Sequence, residues 1–172
     1  MGYLHIHSQA VSRMTAVNAS AMKISSNPVD TLVAFSICSG VGVAIYDPVS
    51  NAGGILNFLL PDSARANGVD PARVPFMFAD TGLPAFIAAL TRQNVQPTRS
   101  KIVIAGGAHV MNQTEMFNIG QKNLAALKAR LANYGLKIYH ENSGGTSSRT
   151  LSLEISTGCS SIQIFGEGQE RV

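Results

Sequence analysis

Residues 31–61 read TLVAFSICSGVGVAIYDPVSNAGGILNFLLP, and this stretch decides the fold. From Thr31 to Tyr46 it is apolar and rich in β-branched side chains, interrupted at Ser36-Ile37-Cys38-Ser39-Gly40. Apolar runs of this kind predict strands, and the Gly/Ser interruption predicts a tight passage between two of them. Asp47-Pro48 makes a turn. Gly53-Gly54 opens a further apolar run, Ile55 to Leu60, which Pro61 ends. Together they predict a hairpin of two buried strands.

Working outward, residues 62–75 hold Gly, Asn, Asp and two Pro and form a loop. Phe78 to Arg92 is expected to be a helix, with Leu83, Phe86, Ile87 and Leu90 at helical spacing, Asp80 and Thr81 as cap candidates, and Pro84 in the first turn. Lys101 to Ala105 is a short buried strand stopped by Gly106-Gly107. Asn118 to Tyr134 is the clearest helix, its stripe Ile119, Leu124, Leu127, Leu131 ending at Gly135. Leu136 to His140 is expected to be a strand and Ser143-Gly144-Gly145 a turn. Leu151 to Ile155 and Ser161 to Phe165 make a hairpin. Residues 1–22 lack strong periodicity, though His5 and His7 alternate with apolar neighbours. They are expected to form an N-terminal arm, flexible or oligomer-forming, ahead of a domain over 23–172. Two long helices among hairpin strands predict an α+β layered domain.

Composition narrows the function. A chain of 172 residues is one domain's worth, and 45% apolar against 13% charged is a globular balance. The net charge of +3 is scattered and there is no Trp, so no concentrated basic face exists for nucleic acid. No apolar run reaches the ~20 residues of a membrane span. The first 22 residues lack a signal peptide's pattern, so the cytoplasm is the expected location. Two cysteines, Cys38 and Cys159, fit neither a zinc nor a redox spacing. The four histidines, His5, His7, His109 and His140, form no metal-binding pair on a helix. No metal or cofactor is expected. Cys38, in the passage between strands, is a candidate nucleophile if a base stands near it; burial as a small apolar residue is the commoner fate of a free cysteine. Gly106-Gly107-Ala108 lacks the Lys-Ser/Thr and the prompt helix of a phosphate loop, so its glycines are read as backbone devices.

Six blocks together resemble the CheD family of chemoreceptor glutamine deamidases. They are ICSGVGVAIYDP (37–48), GGILNFLLP (53–61), FADTG (78–82), KIVIAGGA (101–108), NIGQKN (118–123) and ENSGGTSSR (141–149). They are similar in order and spacing to that family's L-G-S-C-V-G-V-x-L-Y-D-P, G-G-x-x-H-x-M-L-P, Y-A-D-x-A, A-K-x-x-G-G-A, N-I-G-x-R-N and E-D-x-G-G-x-x-x-R. The resemblance implies a layered α/β/α sandwich with mixed, mostly hairpin-connected sheets and two long helices. It implies a role in chemotaxis, with a chemoreceptor or a CheC-like phosphatase as partner. It also places the family's catalytic Thr, Cys and His on Ala34, Gly40 and Asn57. A glycine cannot attack an amide, an asparagine exchanges no proton near neutrality, and an alanine orients nothing. The expectation is a CheD-like protein that binds rather than cleaves. The alternative is a deamidase with Cys38 as a relocated nucleophile. The stretch after the G-G-A block, with His109, Val110, Met111, Met116 and Phe117, is the expected partner surface. The sequence leaves oligomer formation open.

Overall fold

The computed structural model describes residues 12–66, 68–109 and 118–172. Ten strands and two long helices follow in the order β1 (Arg13–Ala16), β2 (Ala21–Ser25), β3 (Asp30–Ile37), β4 (Val41–Asp47), β5 (Ala52–Phe58), α1 (Ala79–Arg92), β6 (Lys101–Gly106), α2 (Ile119–Asn133), β7 (His140–Ser143), β8 (Arg149–Glu154), β9 (Ser160–Ile164) and β10 (Gly168–Arg171). They build two five-stranded sheets, ordered β1-β3-β8-β9-β10 and β2-β5-β4-β6-β7. The pairs β1/β3 and β6/β7 are parallel, while β4/β5 and β8/β9 are antiparallel hairpins.

Burial explains the two kinds of strand pattern. Every residue of β4 and β5 is buried, because one face meets the helices and the other meets the second sheet. Such strands read as continuous apolar runs. By contrast, β8 alternates buried and half-buried residues, since only its inner face is covered. Both helices join the same core: Leu83, Phe86 and Leu90 of α1 and Leu124, Leu127 and Leu131 of α2 meet Val43, Ile45, Leu56, Phe58, Ile102 and Ile104. A second core lies between the sheets, around Leu32, Ala34, Ile37, Ile55, Val103, Leu151, Leu153 and Ile162. The layered α+β arrangement is the expected one, and its layers run helices, sheet, sheet.

Several local expectations change. The helix α1 starts at Ala79, and neither Asp80 nor Thr81 caps it. The Asp80 carboxylate instead accepts hydrogen bonds from the Ser63 N–H and hydroxyl, and the Thr81 hydroxyl donates to the Pro75 carbonyl. The α2 N-cap is Asn118, whose side chain accepts from the Gln121 N–H. The strand expected at Leu136 to His140 begins only at His140, because Leu136 is still tied back to Leu131 and the chain first meets β6 where the Tyr139 N–H reaches the Ile102 carbonyl. Residues 13–16 and 21–25 are edge strands of the two sheets.

The passage from β3 to β4 carries the chain from one sheet to the other. It starts at a β-bulge between Ala34 and Ile37, where Ser36 takes a left-handed φ of 53°. A bulge turns Phe35 outward while Ala34 and Ile37 stay in the inter-sheet core. The crossing leaves a cleft at one end of the sandwich.

Candidate functional site

The cleft is about 140 Å³ and is lined by Ala19, Phe35, Ser36, Ile37, Cys38, Ser39, Gly40, Asn57 and Leu59. The structure thus brings Gly40, Asn57 and Cys38 together. Ala34 is wholly buried opposite Leu151 and lies behind the cleft wall. A larger groove of about 370 Å³ runs along α2, beside Pro61, Asp62, Lys122, Ala125, Ala126 and Arg130, and includes none of these positions.

Each cleft residue is held by its backbone setting. The Gly40 carbonyl accepts from the Gly107 N–H at 2.7 Å, and the Cys38 carbonyl from the Ala108 N–H at 2.8 Å. A Cβ built on Gly40 would stand 2.7 Å from the Phe58 carbonyl oxygen and 3.2 Å from a Leu59 methyl. There is no room for a side chain at Gly40 without moving the end of β5. The close neighbours are therefore the Phe58 backbone and the Leu59 side chain. Leu56 lies in the helix-side core. Asn57, in the middle sheet between Gly42 and Ala21, is almost fully buried. Its amide Nδ2 donates to the Val17 carbonyl at 3.3 Å, and its own carbonyl accepts from the Ser20 N–H at 2.8 Å. The residue is spent on anchoring the β1–β2 turn over the cleft.

One residue at the site escaped the motif reading. Asn123 of α2 is wholly buried, and its Nδ2 donates to both the Ser39 and the Leu59 carbonyls at 2.8 Å. It clamps the two walls of the cleft to the helix. The signal was present as the last letter of NIGQKN, a polar residue beside the apolar stripe, but sequence alone does not say what it binds.

The charges near the cleft serve the frame. Arg149, 7% exposed, donates through Nε to Asn142 Oδ1 at 2.6 Å and through Nη1 to the Gly144 and Ser147 carbonyls. Burial pushes its guanidinium pKa down, while Glu167, Glu170 and Cys38 act the other way. Among the described residues no histidine lines the cleft or is hydrogen-bonded to Cys38. The His109 N–H donates to the Gly145 carbonyl, and its buried Nδ1 has no partner among the described residues. His140 Nε2 lies 3.3 Å from Glu170 Oε1. Of the expected partner surface, His109 is half-buried, and Val110, Met111, Met116 and Phe117 lie outside the described residues, as do His5 and His7. Both cysteines are free thiols. Among the described residues no group of three His, Cys, Asp or Glu could hold a metal ion, and no helix is long and apolar enough to cross a membrane.

The chemistry available in the cleft is limited. Cys38 is its only titratable lining residue, beside three neutral polar side chains, Ser36, Ser39 and Asn57. A thiol can attack an amide only after a base takes its proton, and none is within hydrogen-bond reach among the described residues.

A family model described as CheD chemotactic sensory transduction matches residues 59–164. The chain belongs to the CheD family. It is 38% identical over 143 residues to a probable chemoreceptor glutamine deamidase CheD of Syntrophus aciditrophicus, covering 83% of this chain and 88% of that one. It is 36% identical over 159 residues to the probable CheD of Solibacter usitatus, covering 91% and 92%. The probable CheD of Thermococcus kodakarensis is 35% identical over 127 residues, covering 72% and 76%. The CheD family match begins at Leu59, so the cleft segment from Ala34 to Asn57 precedes it.

Proposed function

We propose that this CheD-family chain is a chemotaxis protein that binds a chemoreceptor and does not deamidate it. One observation supports the reading: Gly40, which the resemblance sets at the nucleophile position, has no space for a side chain, and Asn57, which it sets at the base position, is committed to the Val17 carbonyl. A partner role rests on the retained fold around an open cleft and on relatives that are named for action on chemoreceptors. A CheC-like phosphatase is a further partner, through the segment that begins at His109. The test is to incubate the purified chain with a chemoreceptor cytoplasmic fragment. Co-elution with no glutamine-to-glutamate conversion by mass spectrometry is expected.

A second reading, a deamidase that uses Cys38, is favoured by the partial exposure of that thiol in the cleft. It requires conversion of receptor glutamines by the wild-type chain and its loss in Cys38→Ser. No conversion in either removes it.

A further inference from the structure

Several cations that lie apart in the sequence are brought to one end of the fold. Asp47 ends β4 at the pole away from the cleft. The loop after α1 is tied to it there, with the Gln96 N–H at 3.0 Å and Arg99 Nη2 at 2.8 Å. Lys101 opens β6 opposite Tyr46, so it belongs to the same pole. Its Nζ sits 4.7 Å from the centre of the Tyr139 ring, and the Tyr139 N–H donates to the Ile102 carbonyl. Arg92 is the last residue of α1, and Lys137 stands two residues before Tyr139. Topology therefore gathers Arg92, Arg99, Lys101 and Lys137 at the pole of the sandwich opposite the cleft.

The carboxylates on the same side of the sheets are already partnered. Asp47 is wholly buried and held by Arg99. Asp30 is held by Arg13 at 2.7 Å, Glu141 by Lys128 at 2.9 Å, and Glu154 stands 3.7 Å from Arg171. Arg92, Lys101 and Lys137 make no ion pair among the described residues. Arg92 and Lys137 are exposed and Lys101 is half-buried. Two apolar bodies stand out beside them, Tyr139 at 65% and Val49 at 67% exposure. Val49 is fixed there by its N–H, which donates to Asp47 Oδ1. Neither the cleft nor the α2 groove is lined by any of these residues. Cations on such a surface suit a planar array of anionic headgroups, each adding about fivefold in affinity. A tyrosine ring, apolar in body and polar at the tip, takes the headgroup level.

We propose that this pole is a peripheral contact surface for an anionic lipid bilayer, with Arg92, Lys101 and Lys137 meeting the headgroups and Tyr139 and Val49 entering the headgroup layer. It lies at the far end of β4 from the cleft, so the chain rests on a membrane with its cleft open. Three such cations together favour an anionic surface over a neutral one about hundredfold. The experiment is co-sedimentation of the full chain with vesicles of phosphatidylcholine, pure or with about one third phosphatidylglycerol, at about 0.1 M salt. Binding is expected to the anionic vesicles alone and is lost at about 0.5 M salt. Arg92→Ala and Lys137→Ala are each expected to weaken it about fivefold with unchanged melting temperature, both side chains being exposed. Arg73→Ala, in the loop before α1, removes the same charge and is expected to leave binding unchanged. The chain has no Trp, so Tyr139→Trp reports by its own fluorescence. Its emission is expected to shift to the blue with anionic vesicles, while that of Phe165→Trp at the cleft end does not. Equal binding to both vesicle types, no binding to the anionic ones, an equal loss in Arg73→Ala, or an unshifted emission from Tyr139→Trp overturns the proposal. So does equal or tighter binding of a DNA duplex at the same salt, which would make the pole a general polyanion surface.

Discussion

At one end of β4, Asp47 is wholly buried and fully partnered. Arg99 reaches it with Nε at 2.9 Å and Nη2 at 2.8 Å, and the Val49 and Gln96 N–H groups add bonds at 2.9 and 3.0 Å. At the other end, Gly40 closes a cleft whose only ionisable lining residue among those described is a thiol with no base hydrogen-bonded to it among the described residues. One strand therefore joins a site where a charge has everything it needs to a cleft whose described lining holds a single titratable group. The difference teaches that ionic chemistry here belongs to the frame. Burial would raise the Asp47 pKa, but the Arg99 guanidinium and the two backbone N–H groups outweigh it and hold the carboxyl well below its usual range.

The largest effect is expected where the partnered end is broken. Asp47→Asn should cost about 3 kcal/mol, the lower end for a buried pair, because the part-exposed Arg99 can regain water. A group with a depressed folded-state pKa contributes stability above its unfolded value and loses it as pH falls through the folded value. The wild-type melting temperature should therefore hold from pH 7 to about 5 and fall below about pH 4. Asp47→Asn should flatten that acid limb, and an unchanged limb would show that the pair contributes nothing. Next comes Asn123→Ala, which strands the Ser39 and Leu59 carbonyls and should cost about 2 kcal/mol in urea unfolding. A loss under ~0.5 kcal/mol would mean water replaces the clamp. Gly40→Cys should destabilise by about 1–2 kcal/mol through overpacking against the Phe58 carbonyl, without gaining deamidase activity. Neutral stability, or glutamine conversion by this variant, would sink the description of a closed position. The smallest effect is expected for Cys38→Ser, within about 0.5 kcal/mol and with no change in receptor chemistry.

How much of this was legible depends on where the information sits. The β4–β5 and β8–β9 hairpins, α1 and α2 were readable because their patterns record burial directly: a continuous run for strands covered on both faces, alternation for one face, a Leu stripe for a helix. The edge strands were not. β1 and β10 are short and mostly exposed, so they lack a pattern. That β3 and β4 belong to different sheets is tertiary information, and the Ser36–Gly40 passage marks only a break. Asp80 and Thr81 have cap chemistry, yet they bind the loops at Ser63 and Pro75, because tertiary partners outcompeted the local ones. Within the site, Gly40, Asn57 and Cys38, singled out by motif spacing, line one cleft. The Asn57–Val17 bond and the Asn123 clamp depend on segments far apart in the chain, which spacing does not encode.

Glycine and cysteine codons are neighbours, so mutation visits Gly40→Cys readily. The close approach of the Phe58 carbonyl makes that visit unrewarding. A thiol placed there would meet a shifted strand end, an asparagine already tied to the Val17 carbonyl, and no base among the described residues. Each of several changes would have to arrive before any one of them helped. The tight backbone at this glycine thus behaves as a ratchet at position 40: any side chain there meets a packing cost before it can bring a benefit, so the glycine is easy to keep and hard to replace.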